Sequence, residues 1–141
     1  MNFDHYKLLD FTREGRVLTI TMNRPELLNA VNHELHQEMA KAFFDAADDM
    51  DSDIIVLTGA GRAFSAGGDF EWLEKQVKGD RAPLVHEAKT RRRSVMGLLD
   101  CPKPIIAKVK GDAMGFGASV ALLCDIVIAA DHANFADPRV R

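Results

Sequence analysis

The chain has 141 residues and a mass of 15.6 kDa, enough for one ordinary domain and not comfortably for two. A composition of 47% hydrophobic, 28% charged and 7% aromatic residues argues against a disordered or low-complexity chain. Eighteen Lys+Arg against 21 Asp+Glu leave −3, no electrostatic footprint for nucleic acid or an anionic membrane; Cys101 and Cys124 are too few for a disulfide framework and fit a reducing, cytoplasmic setting.

The opening residues, Met1 to Lys7, carry no apolar run of the kind a secretory leader needs. Two strands are expected at 6–13 and 16–22 around a turn at Glu14-Gly15. In the second, Leu18, Ile20 and Met22 alternate with Val17, Thr19 and Thr21, a period of two. Pro25 ends it. A helix is expected to start at Asn32, a good N-cap, with Leu35, Met39, Phe43, Ala46 and Met50 as its apolar stripe. Ile54-Ile55-Val56-Leu57 reads as a strand covered on both faces. A loop from Gly59 to Asp69 follows, then a short helix from about Asp69. Residues 83–99 read as a further helix with Val85, Ala88, Val95, Met96 and Leu99 facing the core. Ile105–Val109 is the next strand and Gly111–Gly117 a second glycine-rich turn. A buried helix, Ala118–Cys124, and a buried strand, Ile126–Ala129, come next, and Asn134–Ala136 reads as one more short strand. Asp125, in the middle of the apolar stretch 113–130, argues against a membrane span. The order of elements makes this an α/β chain.

Several familiar motifs are absent. Gly115-Phe116-Gly117 lacks the third glycine of a dinucleotide fingerprint, and no P-loop is present. Ser65 lacks the glycine that would make it a nucleophile elbow. His33-Glu34-Leu35-His36 falls one residue short of a zinc helix, so no metal is expected and both histidines read as exposed. Arg91-Arg92-Arg93 reads as a solvated helix face or, alternatively, a phosphate contact.

The two glycine-rich turns carry the chemical signal. Each follows an apolar strand and leads into a helix, so each offers free backbone N–H groups at a helix start. Converging, they could give two donors to one oxygen, the geometry of an oxyanion hole. Glycine lets the backbone approach a ligand with no Cβ in the way. Two tight turns with no ligand remain the alternative.

Four segments carry a resemblance. Val17–Glu26 with Leu28-Asn29-Ala30, the run Gly59–Asp69, the run Pro104–Gly117 and Cys124–Ala130 occur in the order and spacing of the enoyl-CoA hydratase/isomerase (crotonase) superfamily, which the chain resembles from about residue 7 to its last. The resemblance implies a spiral of repeated ββα units, incomplete here, with residues 1–141 as the N-terminal part of one domain. It implies an acyl-CoA thioester substrate with coenzyme A as part of it, no separate cofactor, and a homotrimer or hexamer at full length. By position, the N–H groups of Gly68 and Phe116 would hold the thioester oxygen. Glu26, Leu27, Leu28, Ala66, Gly68, Asp69 and Phe70 fall where relatives line the coenzyme A groove.

The sequence departs from the family pattern at the two glutamates with which hydratases activate water. Their positions hold Ser119 and Arg139, neither of which is a strong base near neutral pH. Asp137, Asp112 and His132 are the local titratable substitutes, and a carboxylate outside residues 1–141 is another. The expected activity is of hydratase or isomerase type. The alternatives are a crotonase-type hydrolase or decarboxylase, a non-catalytic acyl-CoA-binding relative, or an assembly fragment without ligand. If this is about half of a longer unit, apolar surface should be exposed, including the unit Ala118–Ala130.

Overall fold

The computed structural model describes residues 1–79 and 81–138. Strands β1 (Leu9–Glu14) and β2 (Val17–Met22) form a hairpin through the two-residue turn Gly15-Arg16, with Gly15 at φ +56° where a side chain would be strained. A 3-10 turn (Pro25–Leu27) leads to α1 (His33–Asp48), capped by the Asn32 side chain, which accepts from the Leu35 N–H at 2.9 Å. Then come β3 (Ile54–Gly59), α2 (Phe70–Lys78), α3 (Arg81–Leu99), β4 (Ile105–Val109), β5 (Ala113–Met114), α4 (Phe116–Leu123), β6 (Ile126–Ala129) and β7 (Phe135–Ala136). The main sheet runs β1-β2-β3-β4-β6 and is parallel from β2 onward; β5 and β7 pair in parallel beside it.

One face of this sheet is the core. Leu18, Ile20 and Met22 of β2, Ile55 and Leu57 of β3, and Ile105, Ala107 and Val109 of β4 pack against Leu35, Met39, Ala42, Phe43 and Ala46 of α1. The opposite face is only half covered: Ile54, Val56 and Ile106 are partly exposed. β3 is therefore not covered on both faces; its apolar run serves a sheet packed mainly on one side.

Three further expectations fail. Met50 lies beyond the end of α1 and is 85% exposed. β6, the edge strand of the sheet, is exposed along its whole length, against the reading of a buried strand but as expected of exposed apolar surface over Ala118–Ala130; the preceding helix buries Gly117, Ala118, Val120 and Ala121 and leaves Leu122 exposed. Asp125 binds between them, its Oδ2 accepting from the Ile105 N–H at 2.7 Å. The third concerns α3. Val85, Ala88 and Leu99 face solvent, whereas Glu87, Thr90, Ser94, Gly97 and Leu98 are buried towards α1. Two of the polar members are satisfied locally: Thr90 Oγ1 donates to the His86 carbonyl at 3.2 Å, and Ser94 Oγ to the Thr90 carbonyl at 3.1 Å. Gly97 lets the helices close, since a Cβ there would lie 3.1 Å from the Phe43 and Phe44 side chains. Among the described residues no helix is long and apolar enough to cross a membrane.

Candidate active site

The two glycine-rich turns meet. The first, between β3 and α2, is stitched to the second, between β4 and α4, by a parallel bridge of Ser65 with Ala113. Phe64 and Ser65 N–H groups donate to the Asp112 carbonyl at 3.0 and 3.1 Å, and the Met114 N–H donates to the Ser65 carbonyl at 2.9 Å. Gly117 permits the approach: a Cβ there would sit 2.7 Å from Ser65 Cβ. Gly67, at φ +88°, would place a Cβ 2.7 Å from the Met114 carbonyl oxygen. On its other side the first turn is tied to the segment before α1. The Ala66 N–H donates to the Leu28 carbonyl at 2.9 Å, the Val31 N–H to the Gly67 carbonyl at 2.7 Å, and the Asp69 N–H to the Val31 carbonyl at 3.0 Å. Asn29, fully buried, donates through Nδ2 to the Ala60 and Ala63 carbonyls at 2.8 and 3.0 Å and accepts from the Arg24 N–H at 2.9 Å.

This stitching leaves a specific pattern of open donors among the described residues. Ser65 Oγ accepts from the Gly67 N–H at 3.2 Å and itself donates to the Asn29 carbonyl at 2.8 Å. From Phe64 to Asp69, every backbone N–H is therefore engaged except that of Gly68. In the second turn the Ala113, Met114 and Gly115 N–H groups are engaged, and the next along the chain, that of Phe116, is open among the described residues. Phe116 opens α4, whose N-cap is Gly115, so no side chain covers the helix start.

Gly68 and Phe116 line one cavity. Its remaining lining comes from Ala66 and Gly67 of the first turn, Gly115 and Pro138, Val31 and His36 at α1, Phe70, Trp72 and Leu73 of α2, and Arg91 of α3. A second cavity is lined by Leu28, Arg62, Ala63, Ala66, Gly111, Asp112, Met114, His132 and Asn134. Ala66 is common to both, so the two cavities adjoin at the first turn.

The candidate residues distribute between these places. Gly68, Phe116, Ala66 and Phe70 line the first cavity and Leu28 the second. Glu26 and Leu27, in the 3-10 turn, are exposed and line neither. Asp69 serves the local structure by capping α2. Its Oδ1 accepts from Glu71 and Trp72 N–H groups at 3.1 and 3.3 Å, and its Oδ2 faces Arg24 Nη1 at 3.3 Å. Ser119 is half-buried on α4, with its hydroxyl donating to the Gly115 carbonyl at 3.1 Å. Asp137 is exposed beside the cavity-lining Pro138, and Arg139 lies outside the described residues. Asp112 and His132 belong to the second cavity, where Asp112 Oδ1 accepts from Asn134 Nδ2 at 2.9 Å. Neither of the two is placed at the open donors.

The cavity also contains a histidine whose sequence setting predicts exposure. His36 is instead 2% exposed, and Glu87, on α3, is 4% exposed. His36 Nδ1 lies 3.2 Å from Glu87 Oε2, and the exposed His33 shares the other carboxylate oxygen through its Nδ1. The His36 ring stands edge-on to Phe116 at 5.1 Å and to Trp72 at 5.8 Å. Burial pushes His36 below the usual histidine range; Glu87 opposes that shift, while Arg91 and His33 add to it. The Arg91 guanidinium, on the exposed face of α3, donates through Nη2 to Gln76 Oε1 at 3.3 Å. Among the described residues no cluster of His, Cys, Asp and Glu is arranged to hold a metal ion.

Known proteins point in one direction. Residues 12–141 match the sequence profile of a family described as Enoyl-CoA hydratase/isomerase. The chain is 37% identical over 129 residues to 2,3-dehydroadipyl-CoA hydratase from Escherichia coli K12, covering 92% of this chain and 49% of that protein. It is 40% identical over 123 residues to 1,2-epoxyphenylacetyl-CoA isomerase from the same organism, covering 86% and 47%. A crystal structure of an enoyl-CoA hydratase/isomerase from Mycobacterium paratuberculosis superposes with a TM-score of 0.92 at 40% identity, covering 98% of this chain and 55% of that one. The chain thus spans about half the length of the curated relatives it matches.

Proposed function

The chain belongs to the enoyl-CoA hydratase/isomerase (crotonase) family, and from that premise we propose that it is the part of an acyl-CoA-processing enzyme that binds the thioester and stabilises its enolate. One observation carries the reading: two glycine turns, held together by backbone hydrogen bonds, each leave one N–H open on the same cavity, at Gly68 and at Phe116. Two such donors on one thioester oxygen favour the charged enolate over the neutral ester, because they are oriented before charge develops. The names of the relatives support an acyl-CoA substrate. Leu28, Ala66 and Phe70, with the exposed Glu26 and Leu27 beside them, form the surface along which the coenzyme A portion would enter, with Ala66 at the junction of the two cavities. Asp69 acts indirectly, by fixing the start of α2 next to Gly68. No separate cofactor enters this scheme. In the full-length protein the same reading carries a homotrimer or hexamer, measurable by light scattering.

Phe116 allows a clean test. It is the first residue of α4, a position where proline is tolerated, so Phe116→Pro removes the N–H while keeping the helix start. Phe116→Gly removes the side chain and keeps the N–H. On a panel of crotonyl-, 3-enoyl- and malonyl-type CoA esters, the proline variant should lose about 10²–10³-fold in kcat and the glycine variant much less. Equal activity of both with wild type would overturn the assignment. Tight, thioester-dependent binding with no product from any ester would instead make the protein a non-catalytic acyl-CoA binder.

A further inference from the structure

The resemblance places Ser119 and Arg139 where hydratases carry their glutamates, so the proposed enolate site still needs a group to carry the proton. We infer that His36 Nε2 is that group and that Glu87 positions it: His36 takes the proton from the carbon next to the thioester carbonyl and returns it to the acyl chain. This rests on the acyl-CoA reading above and adds the residue that performs the proton transfer.

Three observations converge on His36. It lines the same cavity as Gly68 and Phe116, with its ring against the Phe116 side chain at 5.1 Å. Its Nδ1 is held at 3.2 Å from a carboxylate that is itself buried on the facing helix. Its other ring nitrogen, Nε2, is buried and has no hydrogen-bond partner among the described residues. A buried polar atom without a partner is costly and therefore rare, and this one belongs to a side chain that lines the cavity, so a ligand atom reaching it would relieve that cost. The carboxylate supplies the chemistry. Glu87 accepts from Nδ1–H, which leaves the lone pair on Nε2 and makes that atom a proton acceptor. Burial, with Arg91 and His33 nearby, favours the neutral imidazole that a base requires, while Glu87 stabilises the imidazolium once formed. Glu87, Arg91 and His33 are the charged or titratable groups facing His36 from α1 and α3; from α2 and α4 it meets the rings of Trp72 and Phe116.

The step balances without a further reactant. The Nε2 lone pair takes the α proton, the C–H electron pair becomes the enolate double bond, and the carbonyl π pair moves onto the oxygen facing Gly68 and Phe116. The imidazolium then returns the proton to the same carbon, giving exchange with solvent, or two carbons further along a 3-enoyl chain, giving a double-bond shift.

The simpler reading is that Glu87 and His36 only pin α3 to α1. Measurements on the full-length protein separate the two. Deuterium uptake at the α carbon of butyryl-CoA in D2O and conversion of 3-hexenoyl-CoA are followed for wild type, His36→Gln and Glu87→Gln. His36→Gln should lower both rates about 10²–10⁴-fold with CoA-ester binding within about 3-fold of wild type. In wild type, log kcat/KM should fall on the acid side with an apparent pKa below the usual histidine value; Glu87→Gln should move that limb to lower pH, a displacement that a purely structural pin does not produce. If His36→Gln is too unstable to assay, the Glu87→Gln displacement and the ¹⁵N shifts of His36, expected to show a neutral ring with its proton on Nδ1, decide the matter. Exchange surviving in His36→Gln while Phe116→Pro abolishes it would overturn the role of His36 and leave the enolate site standing. A wild type that binds the esters but exchanges no α proton also overturns it. Failure of wild type to bind any CoA ester would remove both readings together.

Discussion

The two walls of the cavity are built on different principles. One wall is main chain: Gly67, Gly68, Gly115 and the Phe116 N–H, with the donors set by backbone hydrogen bonds between the two turns. The other is side chain: His36, Trp72 and Arg91, with Glu87 behind His36 across the α1–α3 interface. The first wall is least tolerant at Gly67, because what a Cβ would strike there is backbone, which cannot move aside. The second tolerates substitution wherever a polar group is satisfied within its own helix, and should resist it only at the two residues that depend on each other.

Four measurements test the difference between the walls, in order of decreasing size. Gly67→Ala combines a φ of +88° with a 2.7 Å approach to the Met114 carbonyl, and should cost roughly 2–4 kcal/mol by urea denaturation while lowering turnover. A neutral Gly67→Ala would show that the main-chain wall is softer than its geometry. Asn29→Ala removes hydrogen bonds to Ala60, Ala63 and Arg24 behind the same wall, and should cost about 2–3 kcal/mol without moving the His36 imidazole signals in NMR. Coupling between those signals and Asn29 would mean that the walls are not independent. The third concerns pH. Burial, the largest influence on His36, lowers its folded-state pKa below the unfolded value of 6.5, so the unfolded chain binds more protons as pH falls through that value. Folding stability should therefore decline with acidification below about pH 6.5, and this part of the slope should vanish in His36→Gln. The smallest effect is expected from Thr90→Val and Ser94→Ala, each within about 1 kcal/mol, since both hydroxyls bond within α3. A larger loss would show that the helix wall relies on them across the interface.

The two walls also differ in how much of them the sequence betrays. Glycine turns between an apolar strand and a helix are visible because only glycine serves there, and it is the family resemblance that marks Gly68 and Phe116 within them. The β2 alternation and the Asn32 cap are legible for the same reason: one local rule fixes each. The helix wall has no such mark. α3 turns Glu87, Thr90 and Ser94 inward and Val85 and Leu99 outward, so apolar periodicity points to the wrong face. His36 stands three residues after the exposed His33, and only the packing of a distant helix buries one and pairs both with Glu87. Composition alone does not show the exposure of β6, because an apolar strand at a sheet edge and one in its middle look alike; the expectation of exposed apolar surface over Ala118–Ala130 comes only from the family resemblance.

Ser65 has a consequence of a different kind. By occupying the Gly67 N–H from one side while Val31 occupies that of Asp69 from the other, the fold isolates Gly68 as a single address in its stretch of chain. An oxygen displaced by one residue in either direction finds its donor already taken. The turn thus fixes the position of a bound group by denying the neighbouring ones, much as a keyed connector admits one alignment. A loop richer in open donors would hold an anion more tightly and place it less well.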